Sequence, residues 1–276
     1  MPIPPSLIGG GLAGWGFLQA SLEKQETTFA SSSDVTRSRE TLSETLSEPF
    51  SLDTLMGDRQ VLRPVLQAFG LESEIDKGAF IRRIIEDGPD DSDGFAQRLN
   101  NPDFIALSRA FQADSDGFIR MDTAQRDEIV ASFQREAFEI AVGEQEPDLR
   151  LALNFDQTVR EFAGNSASDT SFWFRVIGNA PLFEVFDSAF ILPDGFLNLD
   201  IDKQADILQS RAEQVLGDDP IGKLLTDEGV ETLTRKFLLQ RQVENGPDGF
   251  SSGSIALSLL GGGFGSVGIE NLLLSF

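Results

Sequence analysis

Carboxylates are the one kind of chemistry this sequence holds in quantity. In 276 residues it carries 45 Asp and Glu against 22 Lys and Arg, a net charge of −23, and it has no Cys, no His and no Tyr. Without Cys there is no thiolate nucleophile, no disulfide and no zinc–sulfur site. Without His, the side chain whose ordinary pKa lies near neutrality is missing. Ser-His-Asp and Cys-His arrangements, two-His metal sites and His general bases are therefore excluded. Carboxylate and lysine chemistry remain. Two carboxylates flanking a bond could hydrolyse a glycoside, but with 45 acidic residues such pairs arise by number alone.

Other constellations fail on inspection. Asp114-Ser115-Asp116-Gly117-Phe118-Ile119 has the look of a calcium loop. With Gly117 in the obligatory glycine position, the first ligand is Gln112 and the last is Thr123. A carboxylate and a bidentate Glu are needed there. Asp90-Asp91-Ser92-Asp93-Gly94 and Asn198-Leu199-Asp200-Ile201-Asp202 fail similarly and read better as acidic turns that start helices, their side-chain oxygens accepting backbone N–H groups. No phosphate-binding Gly-Lys-Ser/Thr loop is present, and the glycines from Gly9 to Gly16 do not follow a strand. Arg82-Arg83 is expected to pair with neighbouring acids, and Phe172-Trp173-Phe174 to pack in a core. These motifs assign no catalytic residue, no cofactor and no metal, and the expectation is that the chain is not an enzyme.

The elements that would position any site are helices. Apolar residues recur at helical spacing over 58–69, 76–87, 122–146 and 147–163. Shorter helices are expected at 94–99 and 102–112, and others near 169–178, 180–190, 201–216, 218–225 and 227–244. Asp76 and Asp202 are expected as caps. Residues 33–48 carry few apolar side chains, so a helix there is expected to be exposed. Only Phe172-Trp173-Phe174 and Phe196-Leu197 look strand-like. The expected fold class is all-α, an irregular multi-helix array.

Internal similarity suggests a duplication. Gly57-Asp58 to Ala68-Phe69 resembles Asn179-Ala180 to Ala189-Phe190, and Ile75-Asp76-Lys77 resembles Ile201-Asp202-Lys203. Phe133-Gln134-Arg135 to Pro147 aligns loosely with Leu233-Thr234-Arg235 to Pro247. The expected organisation is an N-terminal tail 1–20, a first helical half 21–146, a connecting helix and loop 147–175, a second half 176–246 and a C-terminal tail 247–276.

The two ends share a small phrase, Ile8-Gly9-Gly10-Gly11 and Leu260-Gly261-Gly262-Gly263, and both are apolar as well as Gly-rich. Flexible Gly-rich tails are usually polar. These ends are expected to pack back on the body or to bind a partner, with Trp15, Phe17, Leu18, Leu259, Leu260, Phe264, Leu272, Leu273 and Phe276 as candidate contacts. The glycines at the N-terminus are expected to interrupt any helical core of a secretory signal, and a basic n-region is missing. No apolar run approaches the roughly 18 residues of a membrane span. Localisation is expected to be cytoplasmic or flagellum-associated.

The middle of the chain resembles an uncharacterised family of alphaproteobacterial proteins, domain of unknown function 1217. The resemblance rests on Leu66-Gln67-Ala68-Phe69-Gly70-Leu71, Phe80-Ile81-Arg82-Arg83-Ile84-Ile85, Phe95-Ala96-Gln97-Arg98-Leu99 with Asn101-Pro102, Phe138-Glu139-Ile140-Ala141-Val142-Gly143-Glu144-Gln145 and Leu149-Arg150-Leu151-Ala152-Leu153. It implies an all-helical fold. Its members' frequent place in flagellar gene clusters implies a motility-associated role. It brings no catalytic residues.

Three functions stay open on this basis. The first is a non-catalytic flagellum- or motility-associated structural, assembly or regulatory protein that binds protein partners. The second is a cytoplasmic acidic module or chaperone that holds a basic client. The third is a carboxylate-dependent hydrolase, which a deep cleft with two buried carboxylates of raised pKa would favour. A field of this sign repels phosphate backbones, so nucleic acid is not an expected partner.

Overall fold

Helical periodicity becomes fourteen α-helices among the described residues, 3–89, 94–99 and 101–245, of the computed structural model. In chain order they are α1 Gly11–Ala30, α2 Ser33–Thr45, α3 Leu52–Gly57, α4 Arg59–Ala68, α5 Gly78–Asp87, α6 Phe95–Arg98 and α7 Pro102–Ala110. Then follow α8 Thr123–Gly143, α9 Pro147–Gly164, α10 Asp169–Gly178, α11 Ala180–Phe190, α12 Ile201–Leu216, α13 Pro220–Lys223 and α14 Asp227–Glu244. Caps set several of these starts. Asp122 and Gln125 form a reciprocal capping box at α8, as do Ser168 and Ser171 at α10. Asn101 and Asn179 cap α7 and α11, each with a proline in the first turn, where a missing N–H costs nothing.

The helices enclose one continuous apolar core that draws on both halves of the chain. Edge-to-face contacts join Phe155 to Phe186 and Trp173 to Phe186 within it. The long helix α9 lies between the halves, packed on α8 and also on α11 and α14. A parallel recurs on its two sides. α4 packs against α8 as α11 packs against α14, and in each case a single 3-10 turn follows the first helix, at Glu72–Glu74 and at Phe196–Asn198. The next helices are placed differently: α5 rests on α7, whereas α12 rests on α10.

The glycine-rich N-terminus departs most from its expectation as a tail without helix. Residues from Gly11 onward form the 20-residue helix α1, which packs against α14, α8 and α9. Glycine costs about 1 kcal/mol per residue in a helix, but here it permits contacts that any side chain would block. A Cβ at Gly14 would overlap the Gly9 carbonyl oxygen, and one at Gly11 would overlap the Gln242 side chain on α14. The chain preceding α1 is also bound, since Gln145 Nε2 donates to the Pro5 carbonyl at 2.9 Å.

Other differences have local causes. α2 is not an exposed helix: Val35 and Leu42, with Leu46 just beyond, are buried against α4 and α8. Three apolar residues on one face are enough for a narrow contact. Phe172-Trp173-Phe174 lies in helix α10 and Phe196-Leu197 in a 3-10 turn. The strands lie elsewhere, β1 Phe50–Ser51 antiparallel to β2 Phe118–Ile119. Asp76 caps nothing and pairs with Arg59 at 2.8 Å, while Asp202 sits inside the first turn of α12. Asp114 closes a turn before β2, accepting the N–H groups of Asp116 and Phe118 and pairing with Arg120. Arg82 and Arg83 do pair with neighbouring acids, Arg82 with Asp53 and Glu86 and Arg83 with Asp87.

Candidate functional site

α7, α8 and α9 line a cleft of about 860 Å³, with further walls from the end of α4, from α11 and from α14. Its charged lining includes Asp103, Glu136 and Glu161 on the acidic side, with Arg109, Arg135, Arg150 and Arg241 on the basic side. The volume lies within the usual range for a small ligand or a protruding side chain.

Three of these seven charges, Arg241, Arg150 and Glu136, are in ion pairs inside the protein. Arg241 Nε donates to Asp148 Oδ1 at 2.8 Å, and its Nη2 lies 3.1 Å from Glu184 Oε1. Arg150 Nη2 stands 4.0 Å from Glu136 Oε2. Asp103 and Glu161 are in no ion pair among the described residues, and neither are Arg109 and Arg135. Asp103 is fixed at the start of α7, where its N–H donates to the capping Asn101 side chain at 2.8 Å. Burial first, and the facing Glu161 carboxylate second, push the Asp103 carboxyl up to about 6.

A second acidic group lies where α8 faces α9. Glu136 and Glu139 are three residues apart and share one helix face. Burial raises the pKa of Glu136, with Asp103 adding to the effect and Arg150 and Arg135 opposing it. Glu139 is 5% exposed, and its Oε2 has no hydrogen-bond partner. Burial, then the adjacent Glu136, push its carboxyl up to about 8, against the pull of Arg135, Arg150 and an Asn154 hydrogen bond. Glu139 is therefore protonated at neutral pH, which removes the cost of a charge buried without full pairing.

Chemically, the cleft offers a cationic group two carboxylates that are in no ion pair among the described residues, one of them a carboxyl near pKa 6 that could accept or donate a proton. Sequence reasoning did not select Asp103, Glu136, Glu139 or Glu161. One signal was available: Glu136 and Glu139 interrupt the run of core residues Phe133, Ala137, Phe138 and Val142 on α8. A carboxylate on a buried face needs a reason.

Residues expected at a partner surface fall in two groups. Leu18 is wholly buried and belongs to the core, because α1 is docked on the body. Trp15 and Phe17 on the same helix are half-buried. Leu259, Leu260, Phe264, Leu272, Leu273 and Phe276 lie outside the described residues. Phe172 and Trp173 are core residues, with Trp173 Nε1 donating to Gln209 Oε1 at 2.6 Å. Among the described residues no group of three or more acidic side chains is placed to hold a metal ion, and no helix is long and apolar enough to cross a membrane.

Comparison with known proteins adds fold and family. No curated protein matches the chain. Among solved structures it is similar to the X-ray crystal structure of a protein from Agrobacterium tumefaciens, 21% identical, with a TM-score of 0.66, covering 89% of this chain and 100% of that one. That likeness is one of fold. Residues 68–226 match the family described as protein of unknown function (DUF1217), a span that takes in α5 to α13 and with them α7, α8 and α9 of the cleft. On that match, the chain belongs to the DUF1217 family.

Proposed function

We propose that this chain is a non-catalytic, motility-associated protein that acts by holding a basic segment of a protein partner. The carrying observation is the facing pair Asp103 and Glu161, two carboxylates of the cleft that are in no ion pair among the described residues. A Lys or Arg side chain from a partner would pair with them, and in a partly buried setting such a pairing is stronger than at an open surface. The net charge of −23 favours the approach of a basic partner. The motility setting is what the family resemblance implies.

A carboxylate-dependent hydrolase is the second reading, favoured by one observation: Asp103 and Glu136 line the same cleft and both have raised pKa values. It lacks support from other groups, since the chain holds no His, Cys or Tyr to assist.

Deletion of the gene and complementation separate the two. The binding reading expects lost swimming, restored by the wild-type gene and not by a gene carrying Asp103→Asn and Glu161→Gln. Unchanged swimming on deletion contradicts the motility role. Purified protein that turns over a glycoside or ester, with loss on Asp103→Asn, favours the hydrolase.

A further inference from the structure

The connection from α11 to α12, residues 191–200, does something costly with its apolar side chains. Ile191 ends α11 with φ +52 and ψ +62, the left-handed region, and it is the one non-glycine residue at positive φ among the described residues. Glycine or asparagine normally takes this position after a helix, because a β-branched side chain there crowds the backbone. Burial usually compensates for such strain. Here it does not, since Ile191 is 63% exposed.

Its neighbours repeat the pattern. Leu197 is 66% exposed and Ile201 50%, with Leu199 also exposed. The segment is firmly held nonetheless. Phe196 is buried and stacks on Phe183 with ring centroids 5.7 Å apart. The buried Gln204 side chain donates from Nε2 to the Leu199 carbonyl at 2.7 Å. A loop anchored at its middle and tied to the next helix thus presents apolar side chains to water in a fixed arrangement. Strain kept without a local return is a mark of a binding element, and a preformed surface loses less entropy when it is covered.

The surroundings point to the kind of partner. Asp194, Asp200, Asp202 and Asp206 are exposed around these residues, and Lys203, the one cation in this stretch, pairs with Asp200 at 3.7 Å. An acidic rim on a chain of net charge −23 repels a second copy of the same chain. We infer that the α11–α12 connection is a docking surface for a segment of another protein whose apolar face is flanked by Lys or Arg. This rests on the binding role proposed above and gives it a second contact, since none of these four apolar residues lines the cleft.

An 18-residue synthetic helix of leucine and lysine, leucine along one face, serves as a probe, titrated against the full chain by fluorescence anisotropy. Leu197→Ser with Ile201→Ser is expected to weaken binding by about tenfold or more, while Leu239→Ser with Val243→Ser, an exposed apolar pair on α14, changes it less than about twofold. Both variants alter exposed side chains and should keep the wild-type circular dichroism spectrum. A leucine–glutamate helix of the same pattern is expected not to bind. The inference is overturned if the two double variants bind alike, if the glutamate helix binds as well as the lysine helix, or if the wild-type chain self-associates through these residues. Asp103→Asn with Glu161→Gln is expected to cost this probe less affinity than Leu197→Ser with Ile201→Ser, because the leucine face docks on the loop. If that pair alone abolishes binding, the loop inference fails and the cleft reading stands.

Discussion

Arg241 on α14 and Asp148 in the first turn of α9 form a part-buried hydrogen-bonded ion pair at 2.8 Å, and the same guanidinium reaches Glu184 on α11. One side chain thus ties together α14, α9 and α11. Asp148 also sits where a helix N-terminus favours negative charge. Arg241→Ala leaves Asp148 without its partner and should destabilise the chain by about 1–2 kcal/mol, read from the urea midpoint. Arg241→Lys, which cannot span both carboxylates, should recover less than half of that loss.

Two glycines on α1 make opposite predictions. Gly14 faces the Gly9 carbonyl oxygen and the Leu149 side chain, so Gly14→Ala forces backbone apart and should cost roughly 1–3 kcal/mol. Gly16 is exposed on the same helix, with nothing within 4 Å of an added Cβ. Gly16→Ala should therefore stabilise by roughly 0.5–1 kcal/mol. Matching effects at the two positions in urea unfolding would mean that α1 is not packed as described.

Glu139 makes stability depend on pH. Its folded-state pKa is raised to about 8 from an ordinary 4.5, so folding disfavours its ionised form. The penalty is complete above pH 8, shrinks as the pH falls and is gone below about 4.5. Glu139→Gln mimics the protonated carboxyl. It should stabilise the protein by on the order of 2–4 kcal/mol at pH 8.5 and by little at pH 5. Melting temperatures of both proteins across that range check it; a constant offset at all pH values would place Glu139 in a solvated setting.

Ile191 carries strain that the isolated chain does not recover. Ile191→Asn, which accepts the left-handed conformation, should raise stability by about 1 kcal/mol, or roughly 2–4 °C in melting temperature. A drop in stability would mean that the side chain packs usefully where it is.

Local signals made much of the fold readable. Helices expected at 169–178, 180–190 and 201–216 coincide with α10, α11 and α12, because Ser168, Asn179 and flanking turns mark their ends. α1 was hidden because glycine reads as a breaker, and its value here comes from close approach to Gln242 and to the Gly9 carbonyl, partners that only the tertiary structure supplies. The strands β1 and β2 are two residues each, too short for any alternation to show. The cleft was hidden for another reason. Asp103 and Glu161 are two among 45 acidic residues, and only the tertiary structure shows that they share a cleft and are in no ion pair among the described residues. Ile191 gave no warning either, since nothing in Phe190-Ile191-Leu192-Pro193 marks a left-handed residue.

Whether the cleft takes a cationic side chain is tested most directly by calorimetric titration with an arginine-containing peptide of fixed sequence. Three proteins should be compared: wild type, Asp103→Asn with Glu161→Gln, and Glu44→Gln with Glu48→Gln, which removes the same charge from exposed positions near the end of α2. Affinity should fall about tenfold or more for the cleft pair and less than about twofold for the control. Equal losses in both variants would show that the peptide responds to overall charge alone, and the cleft would then have no part in binding.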